Sequence, residues 1–152
     1  MKKAFLSKAQ VEDIVKKFPT PFHIYDEKGI VDNAKAVYKA FSWNKGFKEY
    51  FAVKATPTPK IVKILADQNA GADCSSLPEL LIAKMAGLNG QDIILTSNDT
   101  PADEFQEALK LGAIINLDDI SHLDFLANNA GLPEILCFRY NPADISNEGN
   151  DI

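Results

Sequence analysis

Three side chains in this sequence could do chemistry together: Lys54, Asp73 and Arg139. Lys54 ends the run Tyr50-Phe51-Ala52-Val53, which is rich in aromatic and branched residues and reads as a buried strand. Thr56-Pro57-Thr58-Pro59 stops that strand. A lysine at the rim of a core is expected to lose part of its preference for the charged form, and a neutral amine attacks carbonyl carbon. The bland alternative is a lysine that sends its ammonium to water. Asp73 offers a carboxylate or a helix cap. Arg139 offers a guanidinium that forks onto carboxylates, or a structural side chain stacked between Phe138 and Tyr140.

The elements that must position these residues alternate. Residues 7–18 place Val11, Ile14, Val15 and Phe18 on one helical face, with Ser7 as N-cap and Pro19 as stop. Thr20 to Asp26 alternates and carries β-formers, which predicts a strand, with His23 a packed or surface residue on it. A second helix runs from about Lys28 to Phe41, and Trp43-Asn44-Lys45-Gly46 is a turn. Five strands are then expected at 48–54, 70–75, 92–96, 113–117 and 134–140. Helices at 59–68, 77–86, 101–111 and 121–129 lie between them. Ser76 is the expected N-cap of the second of these, and Gly87 and Gly112 are expected stops.

Strict alternation with short loops implies parallel strands and an α/β sheet or barrel. Five units are too few to close a barrel of eight strands, so an open doubly wound sheet and the first part of a TIM-type (β/α) barrel both stay open. A dinucleotide-binding sheet would carry a glycine-rich loop after its first strand, and Lys54 to Pro59 has no glycine. The distinctive residues all sit on or just after the C-terminal ends of strands: Lys54, Asp73 to Ser76, Thr96 to Asp99, and Arg139 to Pro142. In a parallel barrel those ends converge on one face. A Schiff-base lysine there points to pyridoxal phosphate (PLP), the aldehyde cofactor that most often uses one.

Composition excludes other classes. The 152 residues are 46% hydrophobic and 24% charged, enough for a normal core and against disorder. The net charge of -5, without Lys/Arg runs interleaved with aromatics, argues against a nucleic-acid surface. Met1 to Leu6 starts like a signal peptide, but Ser7, Lys8, Gln10, Glu12 and Asp13 interrupt it, and no apolar stretch is long enough for a membrane span. Cys74 and Cys137 read as reduced thiols in a cytoplasmic protein. His23 and His122 have no Cys or His neighbour at ligand spacing, so no metal is expected.

Four ordered motifs resemble one family. Tyr50-Phe51-Ala52-Val53-Lys54-Ala55-Thr56 is similar to the Y-A-V-K-A-N motif of the fold-type III PLP decarboxylases. These are the diaminopimelate, ornithine and arginine decarboxylases with an alanine-racemase-like barrel. Gly71 to Ser76 resembles their G-(A/F)-D-(C/V)-(A/S)-S segment, and Thr20 to Asp26 their T-P…Y-D lead-in. Phe138-Arg139-Tyr140-Asn141-Pro142 resembles L-R-(V/Y)-N-P, closest to diaminopimelate decarboxylase.

The resemblance implies that Lys54 forms the Schiff base, that Ala52 faces the cofactor ring, and that Asp73 and Arg139 lie in a network beneath it. Asn98 is carried over as a polar loop residue near the cofactor. The implied reaction is loss of the α-carboxylate from an amino acid, with meso-diaminopimelate to L-lysine first. Ornithine, arginine and carboxynorspermidine are alternatives, as is a non-catalytic PLP carrier with the same barrel. A generic open α/β binding domain is the blandest reading. Thr56 departs from the motif's Asn.

The family's glycine-rich phosphate loop, its E-P-G-R segment and its stacking histidine have no match here; neither His23 nor His122 takes that last role. Residues 1–46 are therefore expected to lead into the barrel and 47–152 to form its first part. The rest of the barrel and a C-terminal β domain, which makes the family's homodimer interface, are expected outside this sequence. The isolated chain is expected to be inactive or nearly so.

Overall fold

The structure is a computed structural model that describes residues 4–140. The Asn141-Pro142 end of the fourth motif and the tail to Ile152 lie outside the described residues. Two helices come first, α1 (Lys8–Val15) and α2 (Glu27–Ala40). Ser7 caps α1 in a reciprocal box with Gln10. Five strands follow: β1 (Tyr50–Ala52), β2 (Gly71–Cys74), β3 (Ile93–Ser97), β4 (Ile114–Leu117) and β5 (Leu136–Phe138). Between them run α3 (Pro59–Ala66), α4 (Leu77–Met85), α5 (Ala102–Leu111) and α6 (His122–Asn129).

The expected strand at Thr20–Asp26 is not formed. A strand needs a ladder partner, and this segment lies on no edge of the sheet. Its last residue works for the next helix instead: the Asp26 carboxylate accepts from Gly29 N at 3.0 Å and caps α2. The Tyr38 hydroxyl then ties α2 to the Asn69 carbonyl at 2.6 Å, and the Tyr38 ring meets Phe47 edge-on.

All four strand pairings are parallel, and the strand order is β1-β2-β3-β4-β5. Each crossover thus steps to the next position in the same direction. A doubly wound sheet reverses its order at a switch point, whereas a (β/α) barrel does not. The sheet is therefore a partial barrel wall, as five units of strand and helix can make.

The two faces of that wall differ by the period of two along each strand. Ala72 and Cys74, Ile93 and Leu95, and Ile115 and Leu117 point to one side and are buried with Val62, Leu80, Phe105 and Leu126 from the helices. This is the core. The opposite side carries Tyr50, Asp73, Ile94, Thr96, Ile114, Asn116 and Cys137, which line a groove of about 360 Å³. Gly71 makes room there. A Cβ at Gly71 would stand 2.5 Å from the Tyr50 ring and 2.7 Å from the Asp92 carbonyl. Tyr50 crosses that gap and donates its hydroxyl to the Gln91 carbonyl at 2.6 Å.

Candidate active site

Lys54 does not sit on the strand. β1 stops at Ala52, and Val53–Ala55 forms one turn of 3-10 helix. Val53 is fully buried and pins that turn to the core, while Lys54 beside it is exposed. The expected burial of the lysine is thus not supplied by the described residues. The cause is local: in a 3-10 turn adjacent side chains point in different directions, so anchoring Val53 frees Lys54.

Asp73 is not placed across a barrel mouth from the lysine. It lies instead on the adjacent strand, paired in register with Ala52, two residues before Lys54. Asp73 is half-buried, and burial raises its proton affinity above the ordinary carboxylate value. The Thr96 hydroxyl and the positive charges of Lys54 and Arg139 pull the other way, and Glu79 adds to the rise. The net direction is upward, so burial wins. Both cations therefore stand within electrostatic reach of Asp73.

Arg139 follows β5 and is held at both ends. Its backbone N–H donates to the Leu117 carbonyl at 2.8 Å, and its Nη1 meets Asp118 Oδ1 at 2.7 Å. Asp118 follows β4, so the pair links two neighbouring strand ends. Ala52, the last residue of β1, is half-buried. Asn98 is exposed on the loop after β3 and is not among the groove's lining residues. The polar groups that the third and fourth strands do bring to the groove are Thr96 and Asn116, with Asn116 Nδ2 donating to Thr96 Oγ1 at 3.2 Å.

Sequence reasoning named Thr96 only as one of the residues at the end of the third strand, carrying Asn98 forward instead, and it did not single out Asn116 or Asp118. The signal for Thr96 and Asn116 is parity: each puts a polar group into an aliphatic run at a position opposite to the core-facing residues.

Behind the site two carboxylates hold the helix starts. Glu79 accepts from Ser75 N and from Ser75 Oγ, both at 2.9 Å. Glu104 of α5 accepts from Leu77 N at 2.7 Å, so it does for α4 what Ser76 was expected to do; Ser76 makes no capping bond. Cys74 is buried between sheet and helices, and burial pushes its thiol up to about 12. That thiol is packing, not chemistry.

A second cavity, of about 320 Å³, opens between α2, β1 and α3, with Ile30, Val37, Phe51 and Leu65 on its walls. Asn33, Glu49 and Thr56, the last directly after the Lys54 turn, also line it, and Lys54 itself does not. Among the described residues no helix is long and apolar enough to cross a membrane.

Comparison with known proteins adds an independent observation. The family model for the pyridoxal binding domain of pyridoxal-dependent decarboxylases matches residues 27–150. Protein TabA of Pseudomonas amygdali pv. tabaci is 44% identical over 132 residues, covering 87% of this chain and 30% of TabA. The diaminopimelate decarboxylase of Methanothermobacter thermautotrophicus is 33% identical over 135 residues, covering 88% of this chain and 32% of that protein. The chain thus spans about a third of the length of these curated relatives. Among solved structures, SrLDC in complex with PLP and cadaverine superposes with a TM-score of 0.80 at 24% identity, over 96% of this chain and 38% of that one. At that identity the likeness concerns the fold.

Proposed function

We propose, from the premise that this chain belongs to the pyridoxal-dependent decarboxylases through their pyridoxal binding domain, that it supplies the Schiff-base lysine of an amino-acid decarboxylase and that this lysine is Lys54. The observation that carries the reading is the placement of Lys54 on a turn pinned by buried Val53, within electrostatic reach of Asp73 at the same end of the sheet.

The residues present fit the cofactor. An exposed amine is open to an aldehyde, a carboxylate with raised proton affinity stands on the adjacent strand, and that carboxylate lines a groove with Thr96 and Asn116. PLP supplies an electrophilic aldehyde and an electron-withdrawing ring. Lys54 must shed a proton to attack, and Asp73 is the neighbouring group able to hold one. Arg139, anchored by Asp118, keeps a positive charge at the end of β5. There it offsets the negative charge of Asp73 and of an anionic ligand. Ala52 leaves the space over β1 open for a planar ring. Asn98, on the neighbouring loop, is assigned to the outer edge of the same site.

The preferred substrate in this reading is meso-diaminopimelate, with L-lysine as product. The Phe138-Arg139-Tyr140 segment and the 33% identical diaminopimelate decarboxylase support that choice. The proposed organisation is residues 1–46 leading into the barrel and 47–152 forming its first part. Further strands, a phosphate grip and a β domain come from sequence outside this chain, in a cytoplasmic homodimer. On its own the 152-residue chain is then without turnover.

The test is borohydride reduction of the PLP-loaded full-length protein, followed by peptide mapping and a carbon dioxide assay on diaminopimelate, ornithine, arginine and lysine. The expected result is a pyridoxyl group on Lys54 and fastest release from diaminopimelate. Lys54→Ala loses both label and release. A label on another lysine removes Lys54 from the role. A label on Lys54 without carbon dioxide release from any substrate marks a PLP carrier instead.

A further inference from the structure

We propose that Thr96 is the positioning residue for Asp73: anchored by Asn116, it directs its hydroxyl hydrogen at the Asp73 carboxylate and fixes that carboxylate in the groove. This rests on the reading of the groove as the cofactor site.

Thr96 on β3 and Asn116 on β4 are register partners. Asp73 on β2 is paired with Ile94, two residues before Thr96 and on the same side of the sheet. All three line the groove. A hydroxyl has one hydrogen and two lone pairs. Asn116 Nδ2 occupies one lone pair at 3.2 Å. The hydrogen is then left for an acceptor, and the carboxylate on the next strand is the charged acceptor beside it. The chain of donation runs in one direction, Asn116 to Thr96 to Asp73, across three strands.

Packing does not demand these residues. Neither belongs to the buried cluster between sheet and helices. Layers inside a parallel barrel are mostly branched aliphatic side chains, and Ile94 and Ile114 next to them follow that rule. A threonine and an asparagine paired in one layer break it. The break falls beside Asp73, the one carboxylate that lines the groove among the described residues. The Thr96 hydroxyl also favours the charged form of Asp73 against the effect of burial.

Thr96→Val keeps the shape and removes the hydroxyl; Thr96→Ser keeps the hydroxyl. The experiment uses the full-length protein and reads two quantities: the carboxyl carbon-13 titration of Asp73 without cofactor, and PLP affinity by fluorescence. Thr96→Val is expected to move the Asp73 midpoint upward and to weaken PLP binding about tenfold, the usual scale for a hydrogen bond to a charged group. Thr96→Ser is expected to restore both. Asn116→Ala is expected to move both in the same direction by less, and it serves if Thr96→Val does not fold.

An unchanged Asp73 midpoint in Thr96→Val, or equal damage in the valine and serine variants, overturns the proposal. Borohydride labelling of the wild type separates the two levels. Without a label on Lys54 the cofactor reading fails and takes this inference with it. With the label present and the midpoint unmoved, only the role of Thr96 fails.

Discussion

Asp73 sits where burial and neighbouring charge act in opposite directions, and burial prevails. Its folded-state proton affinity is raised above the ordinary value of 3.8. The stabilisation linked to this group is therefore complete below that value and is lost as pH rises through the raised one. Asparagine, neutral throughout, removes that loss. Asp73→Asn is expected to raise the melting temperature of the cofactor-free protein at pH 7. The gain is about 1 kcal/mol at most, because the group is only half-buried. Near pH 3 the same substitution should leave the melting temperature almost unchanged. PLP affinity should fall in the same variant, the pattern of a group kept for binding at the expense of stability. A lower melting temperature at pH 7, by scanning calorimetry, would sink the argument. At this scale the position of Lys54 at the end of β1 was legible because an aromatic and branched run ends in a proline-broken loop. Its exposure was not, because it depends on a 3-10 turn that Val53 anchors. Thr96 and Asn116 were hidden for a different reason: a polar residue in a strand looks the same whether it faces solvent or a groove.

The elements were legible where their signals are local. Ser7 before α1 and Gly112 after α5 each act within one helical turn, and Gly112 takes the left-handed φ of 68° that favours glycine at such a stop; the Asp26 cap of α2 was read as the end of a strand instead. The cap of α4 was not legible, since Glu104 reaches Leu77 from 27 positions away. That bond joins the first turns of α4 and α5 behind the strand ends. Glu104→Ala leaves the Leu77 N–H without its partner and is expected to destabilise the protein by about 1 to 3 kcal/mol. Glu104→Gln keeps an acceptor and is expected to recover most of that loss. Urea titrations of the two variants check the prediction, and equal midpoints for both would remove the capping role. The Thr20–Asp26 segment fails as a strand for the complementary reason. Its alternation is real, but pairing is supplied by other parts of a chain and cannot be read from one segment.

At the scale of the whole molecule, alternation of strand and helix left two architectures open, and sequential strand order selects the barrel wall. In that wall β1 and β5 each have one neighbour among the described residues, and the groove face is covered by no second layer there. The two cysteines report on the two faces. Cys74 lies in the core, with its thiol pushed up to about 12, and should resist an aqueous thiol reagent until the protein unfolds. Cys137 is on the groove face and exposed. In the 152-residue chain, Ellman's reagent is expected to modify Cys137 and spare Cys74, and to reach both in denaturant. If further strands continue the sheet to a closed barrel, side chains fill its interior, and Cys137 moves from an open groove to a packed layer. Its modification rate should then fall sharply in the full-length protein, while that of Cys74 stays low in both. Equal Cys137 rates in the two proteins would mean that the groove face stays open to water and that the five strands are not part of a closed barrel.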